Sequence, residues 1–119
     1  MANEICPFCN APSLALIAEN GLAFALRDRA PVRPLHTLII PKRHIADIFE
    51  TTPDEREAVH DLAVKARRAF VAEDPSVEGF NFGSNIGAAA GQVIFHAHVH
   101  LIPRRAGDAP LAPARTSQE

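Results

Sequence analysis

"FHAHVHLIP", residues 95–103, carries a histidine at every second position, at His96, His98 and His100. In a strand, successive side chains point to opposite faces. Positions 94, 96, 98, 100 and 102 would then share one face, and the wholly apolar positions 93, 95, 97, 99 and 101 the other. A helix would place only His96 and His100 on one side. We therefore predict a strand over 93–102 that presents a row of three imidazoles.

Further strands are predicted upstream of this row. Residues 14–19 and 22–27 are apolar runs on either side of Asn20-Gly21, a dipeptide typical of hairpin turns because both residues tolerate positive φ. Residues 36–40, "HTLII", are rich in β-branched residues and are followed by Pro41. These patterns predict a hairpin followed by a third strand.

One long helix is predicted over residues 53–73. Thr52 is suited to the N-cap, Pro53 to the first helical position and Glu55 to a capping box. Apolar residues then recur with a 3.6-residue period. Strands separated by one helix predict an α+β domain with a mainly antiparallel sheet over residues 1–108. The tail, residues 109–119, has no core pattern and is predicted to be irregular.

Composition excludes several classes of partner. The 119 residues carry a net charge of −2 and a sequence pI of about 6.3, so no basic surface for nucleic acid is expected. No apolar run approaches a membrane span, and the first residues do not resemble a signal peptide. We expect a cytoplasmic protein that binds neither nucleic acid nor membrane.

Two chemistries suit a row of histidines. Imidazole is a common ligand of transition metals, and it also serves as a nucleophile or as an acid–base group. The preceding loop, "NIGAAAGQ", offers glycines at Gly87 and Gly91 and amide side chains at Asn85 and Gln92. Such a loop can present backbone N–H groups to an anion. A phosphoryl centre beside a histidine nucleophile is the favoured interpretation.

The sequence resembles the histidine triad (HIT) superfamily of nucleotidyl hydrolases and transferases. "HAHVHLI" fits the pattern His-x-His-x-His-x-x with apolar residues between, and "PLHTLIIPKRH" (34–44), "NIGAAAGQ" (85–92) and "HLIPRRAGD" (100–108) are similar to family blocks. The resemblance covers about residues 5–108. It implies about five antiparallel strands, one long and one short helix, and a homodimer. It also implies cleavage at the α-phosphorus of a purine nucleotide derivative, such as a dinucleoside polyphosphate of adenosine, through a nucleotidyl-histidine intermediate and without a catalytic cofactor.

The same resemblance assigns roles to individual residues. It implies that His98 is the nucleophile, that His100 contacts phosphate, and that His36 lies behind His98. It places Asp28 at the ribose hydroxyls and Asn85 near the ribose and phosphate. The remaining implied site residues are His96 in the catalytic row, and Gly91 and Gln92 as substrate-binding residues, Gly91 through its backbone N–H. In one branch a serine stands where this chain has Val93, which favours anhydride over phosphoramide substrates.

Cys6 and Cys9 have the C-x-x-C spacing that lets two thiolates bind one metal. The resemblance supplies two further ligands, His44 and His96, which would complete a structural zinc site. The alternative is a pair of reduced thiols packed without metal.

Two other functions remain open at this point. One is a nucleotide-binding regulatory protein in which hydrolysis is slow. The other is a zinc-dependent hydrolase that uses the histidines as an open metal site, for which the sequence shows no clear carboxylate near the row.

Overall fold

The computed structural model describes residues 6–9 and 15–109 of the chain. Within them lie five strands and one α-helix, in the order β1 (Leu16–Glu19), β2 (Ala23–Arg27), β3 (Thr37–Pro41), α1 (Pro53–Glu73), β4 (Val77–Gly83) and β5 (Val99–Arg105). The strands form one antiparallel sheet of order β1-β2-β3-β5-β4. The predicted fold class is confirmed. The shorter helical segments here are single 3₁₀ turns, such as Ile48–Glu50 and Ala88–Ala90.

The predicted hairpin forms, although not through positive φ. Neither Asn20 nor Gly21 is among the residues with positive φ. Instead the Asn20 side-chain oxygen accepts hydrogen bonds from the backbone N–H groups of Leu22 and Ala23. The Asn20 amide also donates to the carbonyl of Ala58 in α1. The asparagine therefore closes the turn and ties it to the helix.

Helix α1 begins as predicted. The Thr52 hydroxyl accepts from the N–H of Glu55, and the Glu55 carboxylate accepts from the N–H of Thr52, which completes the capping box. Arg43 donates two hydrogen bonds to the same carboxylate and, with the capping contacts, holds the pKa of Glu55 down at about 2. The helix start is thereby joined to the segment that follows β3.

The sheet has a core on each face. On one side, α1 packs against buried residues of the central strands, among them Ala25, Ile39, Val99 and Leu101. On the other side, Cys6 and Phe8 pack with a second set of strand residues: Phe24, Leu26, Leu38 and Ile40. Leu38 pairs with His100 across β3 and β5. His100, the histidine of β5, therefore lies on the face covered by the N-terminal segment.

The strand predicted over 93–102 is shorter and later than expected, since β5 begins only at Val99. The ladder with β3 ends at the Ile39–Val99 pair and the ladder with β4 at the Gly83–His100 pair, so residues 93–98 are paired with neither strand. They are held by separate hydrogen bonds, such as that from the N–H of Ala97 to the carbonyl of Ile45, 2.8 Å apart. Val93 is 84% exposed and Phe95 48%, so these two residues do not join the predicted core face.

Among the described residues, no helix has the length and apolar character needed to cross a bilayer. Residues 110–119, most of the predicted tail, lie outside the described part of the chain.

Candidate active site

Four side chains bring sulfur and nitrogen atoms together beneath the sheet. The donor atoms of Cys6, Cys9, His44 and His96 all lie within 4.8 Å of one another, so this group could hold a metal ion. The His96 Nδ1 atom lies 3.3 Å from Cys6 Sγ, 3.6 Å from Cys9 Sγ and 3.2 Å from His44 Nδ1. A tetrahedral zinc ion places sulfur and nitrogen ligands about 3.5 Å apart and two nitrogens about 3.3 Å apart. These three separations fit zinc, and the fourth, from Cys9 Sγ to His44 Nδ1, is shorter at 2.9 Å.

The protonation of His96 also suits a metal ligand. Its Nε2 lies 2.8 Å from the carbonyl of Pro41, which can only accept, so the ring proton is on Nε2. The Nδ1 lone pair therefore faces the two sulfurs. Burial is the main cause that lowers the pKa of His96, which keeps the ring neutral. A metal-bound histidine in proteins usually donates its second N–H in this way.

His98 is oriented by its own chain. Its Nδ1 lies 2.8 Å from the carbonyl oxygen of His96, so Nδ1 carries the proton and donates it. The ring contacts the edge of Phe8 and the ring of His100, each with a centroid separation of 5.3 Å. Its Nε2 atom is left with a free lone pair. This is the protonation that an imidazole nucleophile requires.

His36 makes its contact with a different histidine from the one expected. The resemblance implied a position behind His98, but His36 Nε2 lies 2.9 Å from Nδ1 of His100. The N–H of Val32 donates to His36 Nδ1 at 3.2 Å, so the His36 proton is on Nε2 and can be donated to His100. His100 then carries its own proton on Nε2. The N–H of Val32, the ring of His36 and the ring of His100 thus form one chain of hydrogen bonds, and the Nε2–H of His100 is the free donor at its end.

Burial keeps these histidines uncharged. It is the first cause that lowers the pKa of His100 to about 4, with His98 and His36 as further causes. It also lowers the pKa of His36, against the opposing effect of Asp28. At neutral pH His100 is therefore a neutral hydrogen-bond donor.

A carboxylate does lie beside the row, contrary to the expectation from sequence. Asp28 Oδ2 is 3.3 Å from His36 Nε2, and Asp28, His36 and His100 offer donor atoms within 4.8 Å of one another. Their hydrogen bonds argue against a metal at this point. The N–H of Val32 occupies the His36 Nδ1 lone pair, so Nε2 carries a proton where a metal would need a lone pair.

The glycine loop is tied mainly to itself. The N–H of Gly91 donates to Ala88, so the structure does not offer it as the donor that the resemblance implied. Gln92 is buried, and its side chain bonds only to main-chain groups, with its oxygen accepting from Gly87 and its amide donating to Ala46 and Ile94. It supports the loop and is not free to bind a substrate. Asn85 is half-buried and donates to the carbonyl of Ala90.

Three groups of this site were not found from the sequence. The N–H of Val32 sets the protonation of His36, and Leu35, with φ of 71°, forms the left-handed turn just before it. Neither carries a side-chain signal. Ser84 donates its hydroxyl to the carbonyl of His98 at 2.6 Å, from a position directly before the glycine loop. Of the three groups, only Ser84 has a polar side chain that the sequence shows next to the glycine loop.

The fold and site together define an antiparallel α+β protein with paired histidine clusters on one sheet face. Residues 11–107 match the model of the HIT domain, and the chain belongs to the HIT family.

Its relatives share most of the chain. An uncharacterized HIT-like protein of Mycoplasma genitalium is 41% identical over 83% of this chain and 72% of its own length. An adenylylsulfatase of Arabidopsis thaliana is 39% identical over 87% of this chain and 54% of its own length. The structure of a Zn-bound histidine triad family protein from Mycobacterium smegmatis is similar with a TM-score of 0.80. It is 32% identical over 89% of this chain and 79% of that chain.

Proposed function

We propose that this protein is a nucleotide hydrolase or nucleotidyltransferase that cleaves at the α-phosphorus of adenosine nucleotide derivatives through a nucleotidyl-His98 intermediate. The observation that carries the proposal is the 2.8 Å hydrogen bond from His98 Nδ1 to the carbonyl of His96. It leaves the Nε2 lone pair free to attack. The family membership of the chain supports a nucleotide as the ligand.

The reaction follows from these protonation states in two steps. In the first, the Nε2 lone pair forms a bond to phosphorus, and the bond from phosphorus to the leaving oxygen breaks with its electron pair. In the second, water attacks phosphorus, the P–N bond breaks, its electron pair returns to Nε2, and the proton of the water passes to solvent. The Nε2–H of His100 donates to the phosphoryl oxygens, where charge accumulates. Two easier steps replace one difficult step.

The class of leaving group follows from Val93. This residue replaces a serine of one family branch, and its side chain has no proton to give. A phosphate or sulfate leaves as a stable anion without protonation, whereas an amine does not. We therefore propose anhydrides, such as dinucleoside polyphosphates or adenylyl sulfate, as substrates. The adenylylsulfatase name of the Arabidopsis relative supports this choice.

The test combines turnover with intact mass. Wild type, His98→Ala and the control His60→Ala, an exposed helix position, are mixed with diadenosine tetraphosphate, adenylyl sulfate and adenosine phosphoramidate. We expect turnover of the anhydrides and a transient gain of one adenylyl group in wild type and control. His98→Ala should show neither, with nucleotide binding retained. Binding without turnover or adduct in wild type would instead support the regulatory alternative.

We also propose a structural zinc ion held by Cys6, Cys9, His44 and His96. The donor distances and the His96 Nε2–H bond to Pro41 support it, as does the Zn-bound relative from Mycobacterium smegmatis. Zinc there would supply rigidity, because four protein ligands leave no open position. Nucleotide cleavage should therefore continue after chelation for as long as the fold persists, whereas a zinc-dependent hydrolase would stop at once.

A homodimer is the third proposal. β4 lies at the edge of the sheet, and its Phe82 is 53% exposed. Beside it, a groove of ≈ 340 Å³ runs between β4 and α1, lined in part by Ala63, Val64 and Phe80. An apolar groove next to a free strand edge fits a second copy of the chain. Sedimentation should show a dimer that Phe82→Asp weakens, and a monomer at all concentrations would contradict it.

A further inference from the structure

The carbonyl of His98 lies just beyond the end of the sheet. The ladders of β5 end with the pairs Ile39–Val99 and Gly83–His100, so His98 has no strand partner. The residue is nevertheless only 8% exposed. A buried carbonyl requires a donor from elsewhere.

Ser84 supplies that donor. It follows directly after the end of β4, and its hydroxyl lies 2.6 Å from the His98 carbonyl oxygen. The carbonyl can only accept, so the direction of this bond is fixed. Both the side chain and the main chain of His98 are therefore held by a hydrogen bond. The ring nitrogen Nδ1 is bound to the carbonyl of His96, and the main chain is bound to Ser84.

We propose that Ser84 is a positioning residue for the nucleophile His98. Ser84 does not touch the substrate in this role. It fixes the main chain from which the imidazole projects, in the stretch where strand pairing has already ended. The inference rests on the proposed function, because positioning matters for rate only if His98 attacks phosphorus. A displacement of about 1 Å can reduce such a rate about 100-fold.

The experiment compares Ser84→Ala with Ser84→Thr, which keeps a hydroxyl. Thr51→Val is the matched control, because it also removes a hydroxyl-to-carbonyl bond, that from Thr51 to Ile48 at 2.8 Å. In single-turnover reactions with diadenosine tetraphosphate, Ser84→Ala should form the adenylyl adduct about tenfold more slowly, with the half-saturating substrate concentration changed less than twofold. Ser84→Thr should recover the wild-type rate within about twofold. Thr51→Val should lower the unfolding midpoint and leave the rate unchanged.

The position of the His98 ring is measured without substrate by ¹H–¹⁵N NMR of the imidazoles. Ser84→Ala should broaden or shift the His98 signals and leave those of His60 unchanged. A wild-type adduct rate in Ser84→Ala, or an equal loss in Thr51→Val, would overturn the proposal. If wild type forms no adduct with any nucleotide, the proposed function fails. The NMR comparison then decides alone, and unchanged His98 signals in Ser84→Ala would refute the positioning.

Discussion

Two clusters of imidazoles lie side by side on the same sheet face. The first, the cysteine cluster, contains His44 and His96 with Cys6 and Cys9, and the second contains His36 and His100 with Asp28. They differ in the direction of the hydrogen bond that joins one of their rings to the main chain outside the cluster. In the cysteine cluster, His96 donates its outer N–H to the carbonyl of Pro41, so its lone pair points inward. In the second cluster, His36 accepts an outer N–H from Val32, so its proton points inward towards His100. An inward lone pair can bind a cation or accept a proton from a thiol, whereas an inward proton binds the next lone pair directly.

The difference shows how one residue type can perform two tasks within a few ångströms. The separation of the nitrogens does not distinguish the clusters, being 3.2 Å from His96 to His44 and 2.9 Å from His36 to His100. The clusters are distinguished by the main-chain group bound to the ring, which is the carbonyl of Pro41 for His96 and the N–H of Val32 for His36. The first cluster is suited to a metal and the second to a chain of hydrogen bonds.

The largest expected effect comes from removing both thiols. Cys6→Ala/Cys9→Ala should reduce bound zinc from about one per chain to none and lower the free energy of unfolding by about 4 kcal/mol, when free zinc stands at about 1,000 times its Kd. Metal analysis and urea unfolding measure both quantities. Excess chelator should bring wild type to the level of the variant and leave the variant unchanged. If wild type contains no zinc and is as stable as the variant, the cysteine cluster does not bind a metal and the proposed difference between the two clusters is wrong.

The second prediction concerns the hydrogen-bond chain. His100→Asn should lower kcat for diadenosine tetraphosphate about 100-fold, equivalent to about 2.7 kcal/mol, because the shorter amide does not reach the position from which His100 Nε2–H donates to the transition state. Zinc content should stay at the wild-type level, since this cluster holds none. His60→Asn serves as the control. Loss of zinc in His100→Asn would contradict the division of tasks, as would an unchanged kcat.

The third and smallest effect is a dependence of stability on pH. His100 titrates at about 4 in the folded protein, where it faces His98, His36 and Asp28, and at about 6.5 when unfolded. Between these values the unfolded chain binds more protons, so stability falls as pH falls. From pH 7.5 to pH 5 this residue should cost about 2 kcal/mol.

The contribution of His100 is obtained by comparing the free energy of unfolding as a function of pH for wild type and for His100→Asn. As the pH falls from 7.5 to 5, urea unfolding should show wild type losing about 2 kcal/mol of stability relative to His100→Asn, because only wild type carries the titration of His100. Parallel curves would show that His100 is not neutralised by its surroundings.

Local patterns in the sequence were sufficient for much of the fold. The capping box at Thr52 and Glu55 depends on residues three apart, and it formed as predicted. The Asn20-Gly21 hairpin also formed, although through side-chain acceptance rather than positive φ. Such features involve neighbours along the chain, so the sequence alone contains the necessary information.

Features that depend on distant partners were harder to predict. The alternation of residues 93–102 indicated one strand, but a strand also needs a paired neighbour, and the ladders with β3 and β4 stop at Val99 and His100. The convergence of Cys6, Cys9, His44 and His96 was anticipated through the family resemblance. The carboxylate of Asp28 beside His36 and the place of His36 against His100 were not, because both depend on how a loop returns to the sheet.

The protonation pattern of this site is set by main-chain atoms. The partners of His36, His96 and His98 are the amide of Val32, the carbonyl of Pro41 and the carbonyl of His96. Every amino acid carries a carbonyl, and every one except proline carries an amide N–H. Side chains at positions 32 and 41 can therefore drift in evolution without changing which ring nitrogen holds the proton, provided that the backbone path is kept. The protonation of His36 and His96 is thus insensitive to most side-chain substitutions at these two positions.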